Sequence, residues 1–580
     1  MRAMTSSQGK PPPAPIPPTP YDEFPYRGRP CTESHPSRLY TAAVLLGLSP
    51  RPAPVATCRV LELACGDGCN LLSIAESLPA ASCLGIDLAA RHIETAQADA
   101  RALGLSNVRF LQANLLTLQK EELGEFDYII AHGLYSWVPR PVQDRLLALC
   151  KQRLAPGGVA FVSYNVLPGW RVHSILRDFM MFHTHKTEDT VERLQGARAA
   201  LALLIELGKS SSGEMLRFVS EYAAVFQQHL ESLGEWSDSL LLYDALTPSN
   251  TPVYFSKFAG HVSEHGLKYL AEADFNMPMP GVLPAEVLDK IGDKLTCQVD
   301  LEQYIDFYRM RMFRQSLLCH AEAELPGTLD AAPVSGLYVS ALAQAEGAVD
   351  PTDGALAVFK SPRDRSLSTN HPLTKAALLH LIEVWPRAVP FPELVEAATA
   401  RLRGRGKPTQ DAAARSAVTL GLNLVRAFAH GPGPVYLNAF SPEVATSTAG
   451  RPLTRAMARL QAGRGHEVTN AFHDNIGLPR LALQILALLD GVRDHAALRA
   501  ELSARVQRGD VDVDAYRTPP EAPPSDSQAP PSDRQAPLSD RQAPSSDRQA
   551  PSSDRQTAAA VDAALADNLE ILRRMGLLFK

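Results

Sequence analysis

The segment Cys58-Arg59-Val60-Leu61-Glu62-Leu63-Ala64-Cys65-Gly66-Asp67-Gly68-Cys69-Asn70 reads as a strand, a glycine-containing turn and a helix start. Gly85-Ile86-Asp87 follows one unit later. This order is the signature of a nucleoside-cofactor pocket. Gly66 and Gly68 let the main chain approach a ligand. Asp87, about 20 residues on at the end of the next strand, is placed to accept both ribose hydroxyls. NAD and S-adenosylmethionine both satisfy this much, and Glu62 separates them. A carboxylate at the mouth of the first strand repels a pyrophosphate, whereas S-adenosylmethionine has no phosphate and carries a sulfonium and an ammonium. The turn also lacks the third spaced glycine of a dinucleotide fingerprint. The expectation is S-adenosylmethionine held along Glu62, Leu63, Ala64, Cys65, Gly66, Gly68 and Asn70, with Asp87 and Leu88 at the ribose.

Five strand patterns alternate with helical ones: Arg59 to Leu63, Cys83 to Asp87, Val108 to Gln112, Phe126 to His132 and Gly158 to Tyr164. Such alternation predicts an α/β domain, a Rossmann-like parallel sheet with helices on both faces. Ligands of these sheets bind beyond the carboxyl ends of the strands, which gathers Glu62, Asp87, Asn114, His132 and Tyr164 around one crevice. Asn114 and Leu115 follow the third strand, where the adenine edge would lie, and an asparagine both donates to and accepts from a base.

The chain has 580 residues and 45% hydrophobic content, enough for about three or four domains with cores. A net charge of −6 gives no global electrostatic reason to bind nucleic acid, and the basic run from Arg401 to Lys407 reads as a solvated loop. The proline-rich start, residues 1–20, lacks the apolar stretch of a secretory signal. Ala199 to Leu207 and Leu478 to Leu489 are too short or too interrupted to cross a bilayer. The eight cysteines form neither a disulfide framework nor a zinc pattern, so no metal is expected and a cytoplasmic enzyme is.

Beyond a disordered tail at 1–20 and a core at 21–170, a helical region is expected over 171–325. Within it, Leu267 to Ala273 is read as a strand returning to the sheet. Residues 326–452, with helices broken at Trp385-Pro386, suit a winged-helix-like module, and a second small helical unit occupies 453–580. That unit is interrupted at 519–556. There five copies of a seven-residue unit of the type Ala-Pro-Ser-Ser-Asp-Arg-Gln predict disorder, because they hold too little apolar surface to offset chain entropy.

Further motifs sit around this frame: Pro25-Tyr26, His35-Pro36, Phe126-Asp127-Tyr128-Ile129-Ile130-Ala131-His132-Gly133-Leu134-Tyr135-Ser136-Trp137-Val138-Pro139 and Ser163-Tyr164-Asn165-Val166-Leu167-Pro168-Gly169-Trp170. Downstream lie Asn250-Thr251-Pro252-Val253-Tyr254-Phe255 and the run His265 to Ala273. Together they resemble the rickettsial-type protein lysine methyltransferases, with their methyltransferase regulatory domain. The Trp385-Pro386 region resembles that family's C-terminal winged-helix domain. The resemblance implies a class I methyltransferase fold, dimerisation in some members and a protein lysine as acceptor. Three features depart from the pattern. Ala64 replaces the first glycine of the cofactor turn, which is tolerable if its backbone avoids the left-handed region. Asn114 stands where many class I enzymes have aspartate, and the heptad insert is foreign.

Methyl transfer from a sulfonium asks the protein mainly for alignment and a neutral nucleophile. Tyr135, Ser136 and Trp137 after the fourth strand, and Tyr164 and Asn165 after the fifth, are the expected catalytic residues on the acceptor side. Trp137 offers an aromatic face to an ammonium. Tyr26 and His35, on an arm able to fold over the pocket, are expected against the substrate. The competing reading packs Trp137 and Tyr164 into a helix-to-strand junction. Two other functions compete: a small-molecule N- or O-methyltransferase using the same pocket, and a non-catalytic cofactor-responsive regulator binding DNA, which the acidic balance opposes. A protein substrate, a possible homodimer, no nucleic acid and no membrane insertion complete the expectations.

Overall fold

A computed structural model describes residues 16–118, 123–209, 237–275, 283–326, 329–362, 365–402, 410–429, 433–465, 467–511 and 554–580. Its centre is an eight-stranded sheet: β1 (Arg59–Leu63), β2 (Ser82–Asp87), β3 (Val108–Gln112), β4 (Phe126–Ala131), β5 (Leu154–Leu167), β6 (Val253–Tyr254), β7 (Leu267–Glu272) and β8 (Phe313–His320). The order is β3-β2-β1-β4-β5-β8-β7, with β6 beside the end of β5. Strands β1 to β6 run parallel, while β8 is antiparallel to both β5 and β7. The sheet is therefore mixed, a class I methyltransferase fold, rather than wholly parallel. The strand anticipated at Leu267 does return to the sheet, but through β8, which inserts between it and β5. β5 itself is longer than the expected Gly158 to Tyr164.

Period-two alternation separates two cores. Val60, Tyr128, Ile130 and Phe161 face a core built with the helices Pro36–Leu45, Cys69–Ser77 and Ala90–Ala102. Leu61, Ile129, Val162 and Tyr164 face the other, built with Arg140–Arg153 and Phe255–Glu264. The first core continues into residues 326–452, where the helices Pro372–Val384, Phe391–Leu402 and Gln410–Ala429 accompany two three-stranded antiparallel sheets. A separate core joins Leu481, Leu486, Leu498 and Leu502 to Val561, Leu569 and Leu572 of the last helix, Asp554–Arg574. The helices Trp170–His183 and Thr190–Lys209 share a fourth small core with Leu241, against which Phe24 and Tyr26 pack.

The heptad repeat lies outside the described residues except for Asp554, Arg555 and Gln556, which already belong to the final helix. Most of the basic run near Arg405 and the N-terminal residues 1–15 also lie outside them. Among the described residues no helix is long and apolar enough to cross a membrane. All eight cysteines are free thiols.

Candidate active site

The turn after β1 holds three consecutive alternate residues in the left-handed region: Ala64 at φ +57°, Gly66 at +55° and Gly68 at +78°. The condition for tolerating Ala64 is thus not met. An alanine there carries strain of order 1–2 kcal/mol that glycine avoids. Nothing lies within 4 Å of where a Cβ on Gly66 would stand, so its main chain is open on that side. Gly85 is the opposite case: a Cβ there would come to 2.6 Å from the Phe110 ring and 2.9 Å from Cys65 Sγ.

Asp87 Oδ2 accepts from the Gly66 N–H at 2.9 Å and Oδ1 from the Ala89 N–H at 2.9 Å, which fixes the carboxylate at the crevice edge. Glu62, at the end of β1, is buried; Oε1 accepts from Asn70 Nδ2 at 2.8 Å, while Oε2 has no hydrogen-bond partner. Burial, with Asp67 and Asp87 nearby, pushes this carboxyl up to about 8. An orphaned acceptor in a negative surrounding suits an incoming ammonium, and it would repel a phosphate. These residues fit S-adenosylmethionine: Glu62 for the amino group, Asp87 for the ribose and the open Gly66 main chain between them.

The N-terminal arm crosses this turn. Asp22 accepts from the Arg91 N–H at 3.0 Å, Gly28 N–H donates to Asp67 Oδ2 at 3.1 Å and Cys31 N–H donates to Asn70 Oδ1 at 2.8 Å. Tyr21 stacks on Tyr243 of the helical insert at 4.3 Å, and Tyr26 meets the same ring edge-on at 6.0 Å. His35 sits deeper than the sequence suggested. Its Nδ1 accepts from the Ser37 N–H at 3.1 Å and caps the Pro36–Leu45 helix, leaving Nε2 to donate to Ser77 Oγ at 2.9 Å. Both ring nitrogens are therefore occupied by the protein itself.

On the acceptor side the structure brings together Ser136, Trp137 and Asn165 with two residues the sequence reading left out of the site, Trp170 and Asn250. Asn165 N–H donates to Ser136 Oγ at 2.9 Å, Thr251 N–H to the Ser136 carbonyl at 2.7 Å and Trp170 Nε1 to Asn250 Oδ1 at 2.9 Å. The half-buried Trp137 stands edge-on to Trp170 at 6.4 Å. Asn165 Nδ2 and Asn250 Nδ2 are both buried with no partner in the protein. Two unspent amide donors beside two indoles call for a polar group from outside the chain.

Tyr135 and Tyr164 point elsewhere. Tyr164 is buried in the opposite core, stacked on Phe258 at 3.9 Å, and its hydroxyl pairs with Ser316 Oγ at 3.0 Å. The Tyr135 hydroxyl pairs with His261 Nδ1 at 2.7 Å, and burial pushes it up to about 12. Tyr164 is thus packed as in the competing reading made for it and Trp137, whereas Trp137 stands half-buried beside Trp170. His132 Nδ1 lies 3.1 Å from Ser163 Oγ, and burial pushes the imidazole down to about 4, so it is neutral at physiological pH. Asn114 Oδ1 accepts from the Leu116 N–H at 3.0 Å in a local turn; Leu115 gives its carbonyl to Arg145, and Leu88 stands exposed beside Asp87. Leu63 is buried in the sheet and Cys65 beneath the turn. Asp144, His261 and His265 have ligand-capable atoms within 4.8 Å of one another, but Arg140 Nε already meets Asp144 Oδ1 at 2.9 Å, so a cation serves that carboxylate.

This crevice, on a class I sheet, defines an S-adenosylmethionine-dependent methyltransferase. Family profiles agree: residues 60–158 match a methyltransferase domain, 237–320 a predicted methyltransferase regulatory domain and 450–529 the PKMT C-terminal winged helix domain. The last match falls on the final unit, downstream of the Trp385-Pro386 region where the resemblance had been placed. Two uncharacterized proteins of Rickettsia prowazekii are similar to the chain. RP789 is 28% identical over 85% of this chain and 87% of its own length, and RP028 is 34% identical over 43% and 96%. The solved structure of PKMT2 from Rickettsia typhi in complex with AdoHcy superposes with a TM-score of 0.76 at 26% identity, covering 96% of this chain and all of that one. The chain belongs to the rickettsial-type protein lysine methyltransferase family.

Proposed function

We propose that this enzyme transfers methyl groups to lysine side chains of protein substrates, in the cytoplasm. The observation that carries the reading is the end-to-end likeness to PKMT2, including the units beyond residue 325 that a metabolite enzyme does not need. When bound, S-adenosylmethionine supplies an already activated methyl group for in-line displacement. The chain's own residues then have three tasks. Glu62 holds the amino group of the cofactor and Asp87 its ribose. The arm from Thr19 to Ser34 covers the turn and excludes water. Trp137, Trp170, Asn165 and Asn250 form the wall on which an amine is oriented.

A lysine of ordinary pKa needs about 4–5 kcal/mol to shed its proton near neutrality. Burial between two indoles disfavours the ammonium and lowers that cost without a strong base. The experiment is transfer of a labelled methyl group from the cofactor to whole-cell protein and, in parallel, to the metabolite fraction, with mass spectrometry of the products. Label on lysine supports the reading. Label confined to metabolites overturns it in favour of a small-molecule acceptor.

A further inference from the structure

We infer that the C-terminal unit is a clamp for the cofactor site, and that His473 is a positioning residue for Glu62, acting through Asn70. Asn70 is the hub. Its Nδ2 donates to Glu62 Oε1 at 2.8 Å, and its Oδ1 accepts from the arm's Cys31 N–H at 2.8 Å and from His473 Nε2 at 2.9 Å. His473 lies 403 residues further along the chain, is buried and adopts φ +64°. The Cys31 N–H, which can only donate, sets which way the Asn70 amide faces, and the His473 Nε2–H adds a second donor that holds it there. With Oδ1 committed to two donors, Nδ2 must turn to Glu62, leaving Oε2 as the free acceptor.

The neighbours of His473 hold the arm from its outer side. Thr32 Oγ1 donates to the His473 carbonyl at 3.0 Å, and Asn475 Nδ2 donates to the Pro30 carbonyl at 2.7 Å. Arg29 pairs with Glu467, and Arg27 Nη1 donates to the Arg464 carbonyl at 3.2 Å. Arg464 in turn grips Asp99 on the helix that follows β2. The hairpin Glu467–Thr469 and Asn475–Gly477 with its flanks thus presses residues 27–32 onto the turn at Gly28–Asp67 and Cys31–Asn70. A segment lying across a bound cofactor must lift before that cofactor leaves. The strength of these contacts therefore sets the exchange rate, the C-terminal unit adding to the hold that Asp67, Asn70 and Arg91 already have on the arm.

The test uses the full chain and S-adenosylhomocysteine as the probe, with affinity from calorimetry and release rate from stopped-flow competition. The double variant Thr32→Val/Asn475→Ala, at partly exposed positions, should release the probe about tenfold faster with an unchanged melting temperature. His473→Ala should weaken the probe similarly, and His473→Gln, which keeps a donor toward Asn70, should restore part of that loss. A double variant that exchanges the probe at the wild-type rate would overturn the clamp. A His473→Ala protein that folds and binds as wild type would overturn the positioning role. Neither readout depends on the identity of the acceptor, so failure here is distinct from failure of the lysine assignment.

Discussion

The Gly66 N–H reaches Asp87 Oδ2 at 2.9 Å, tying the cofactor turn to the end of the neighbouring strand. One carboxylate thus shapes the turn and, in the proposed site, keeps lone pairs for a ribose. Asp87→Ala should lose both, at about 1.5–3 kcal/mol for each charge-assisted bond to the hydroxyls. Calorimetry with S-adenosylmethionine measures it. Unchanged affinity in a folded variant would remove the ribose assignment.

Glu62 links cofactor affinity to pH. Its folded carboxyl is raised to about 8 by burial, with Asp67 and Asp87 adding to the rise. Between an unfolded value near ~4.3 and the folded one, the folded state binds the extra proton, so its contribution to stability is lost as pH rises through that window. An ammonium bound at Oε2 needs the ionised form. Affinity should therefore increase from about pH 6 to 7.5, by at most about tenfold per unit. Glu62→Gln should flatten both slopes, in melting curves and in calorimetry.

Ala64 at φ +57° is a local exception to what its side chain prefers. Ala64→Gly should relieve about 1 kcal/mol of strain while freeing the unfolded chain by a similar amount, leaving stability equal or slightly higher and cofactor binding intact. Chemical denaturation decides. A loss of more than about 1 kcal/mol would show that the methyl group packs against something essential.

Arg314 is fully buried among Glu272, Glu302 and Asp306, at 2.8, 2.9 and 2.8 Å, with the Phe255 ring 4.0 Å from its guanidinium carbon. Burial acts to raise the Glu272 carboxyl, but Arg314 and Arg311 prevail and hold it below its usual range. Stability from Glu272 is therefore lost as pH falls through that lowered value. Arg314→Met should cost about 3–5 kcal/mol, because it strands buried carboxylates. Thermal unfolding measures it.

The acceptor wall makes the clearest contrast. Trp137→Ala and Asn165→Ala should cut methyl transfer by about tenfold or more, roughly 1.4 kcal/mol of barrier each, with cofactor affinity nearly unchanged. Tyr164→Phe should keep transfer and cost only the Ser316 hydrogen bond, about 1 kcal/mol of stability. Full transfer by the first two variants would move the acceptor site elsewhere.

The crevice proposed for the cofactor was legible because Glu62, Gly66, Gly68 and Asp87 lie within one short strand–turn–helix–strand unit, where spacing determines geometry. The proposed acceptor wall was harder to read, because side-chain parity on β5 decides which residues face it. Tyr164 shares a face with Val162 and Val166, and Asn165 takes the other; the alternation was visible, but the identity of each face was not. β8 escaped notice because Phe313–His320 is buried on both faces only from Ser316 to Cys319, so it shows no sustained alternation, and it lacks β-branched residues. His35 carried its own signal in the following Pro36, a helix-start pair. His473 had none: only the folded chain brings it to Asn70.

Phe110 occupies the space that Gly68 and Gly85 leave by having no side chains. The three positions therefore form one unit of inheritance. A methyl group at 85 is intolerable while the phenyl ring stands 2.6 Å away and Cys65 Sγ 2.9 Å away, and becomes admissible once 110 shrinks and the Cys65 thiol turns aside. Relatives that have lost the glycine at 85 should carry a smaller residue at 110, and a library varying both positions together should yield survivors that neither single library contains.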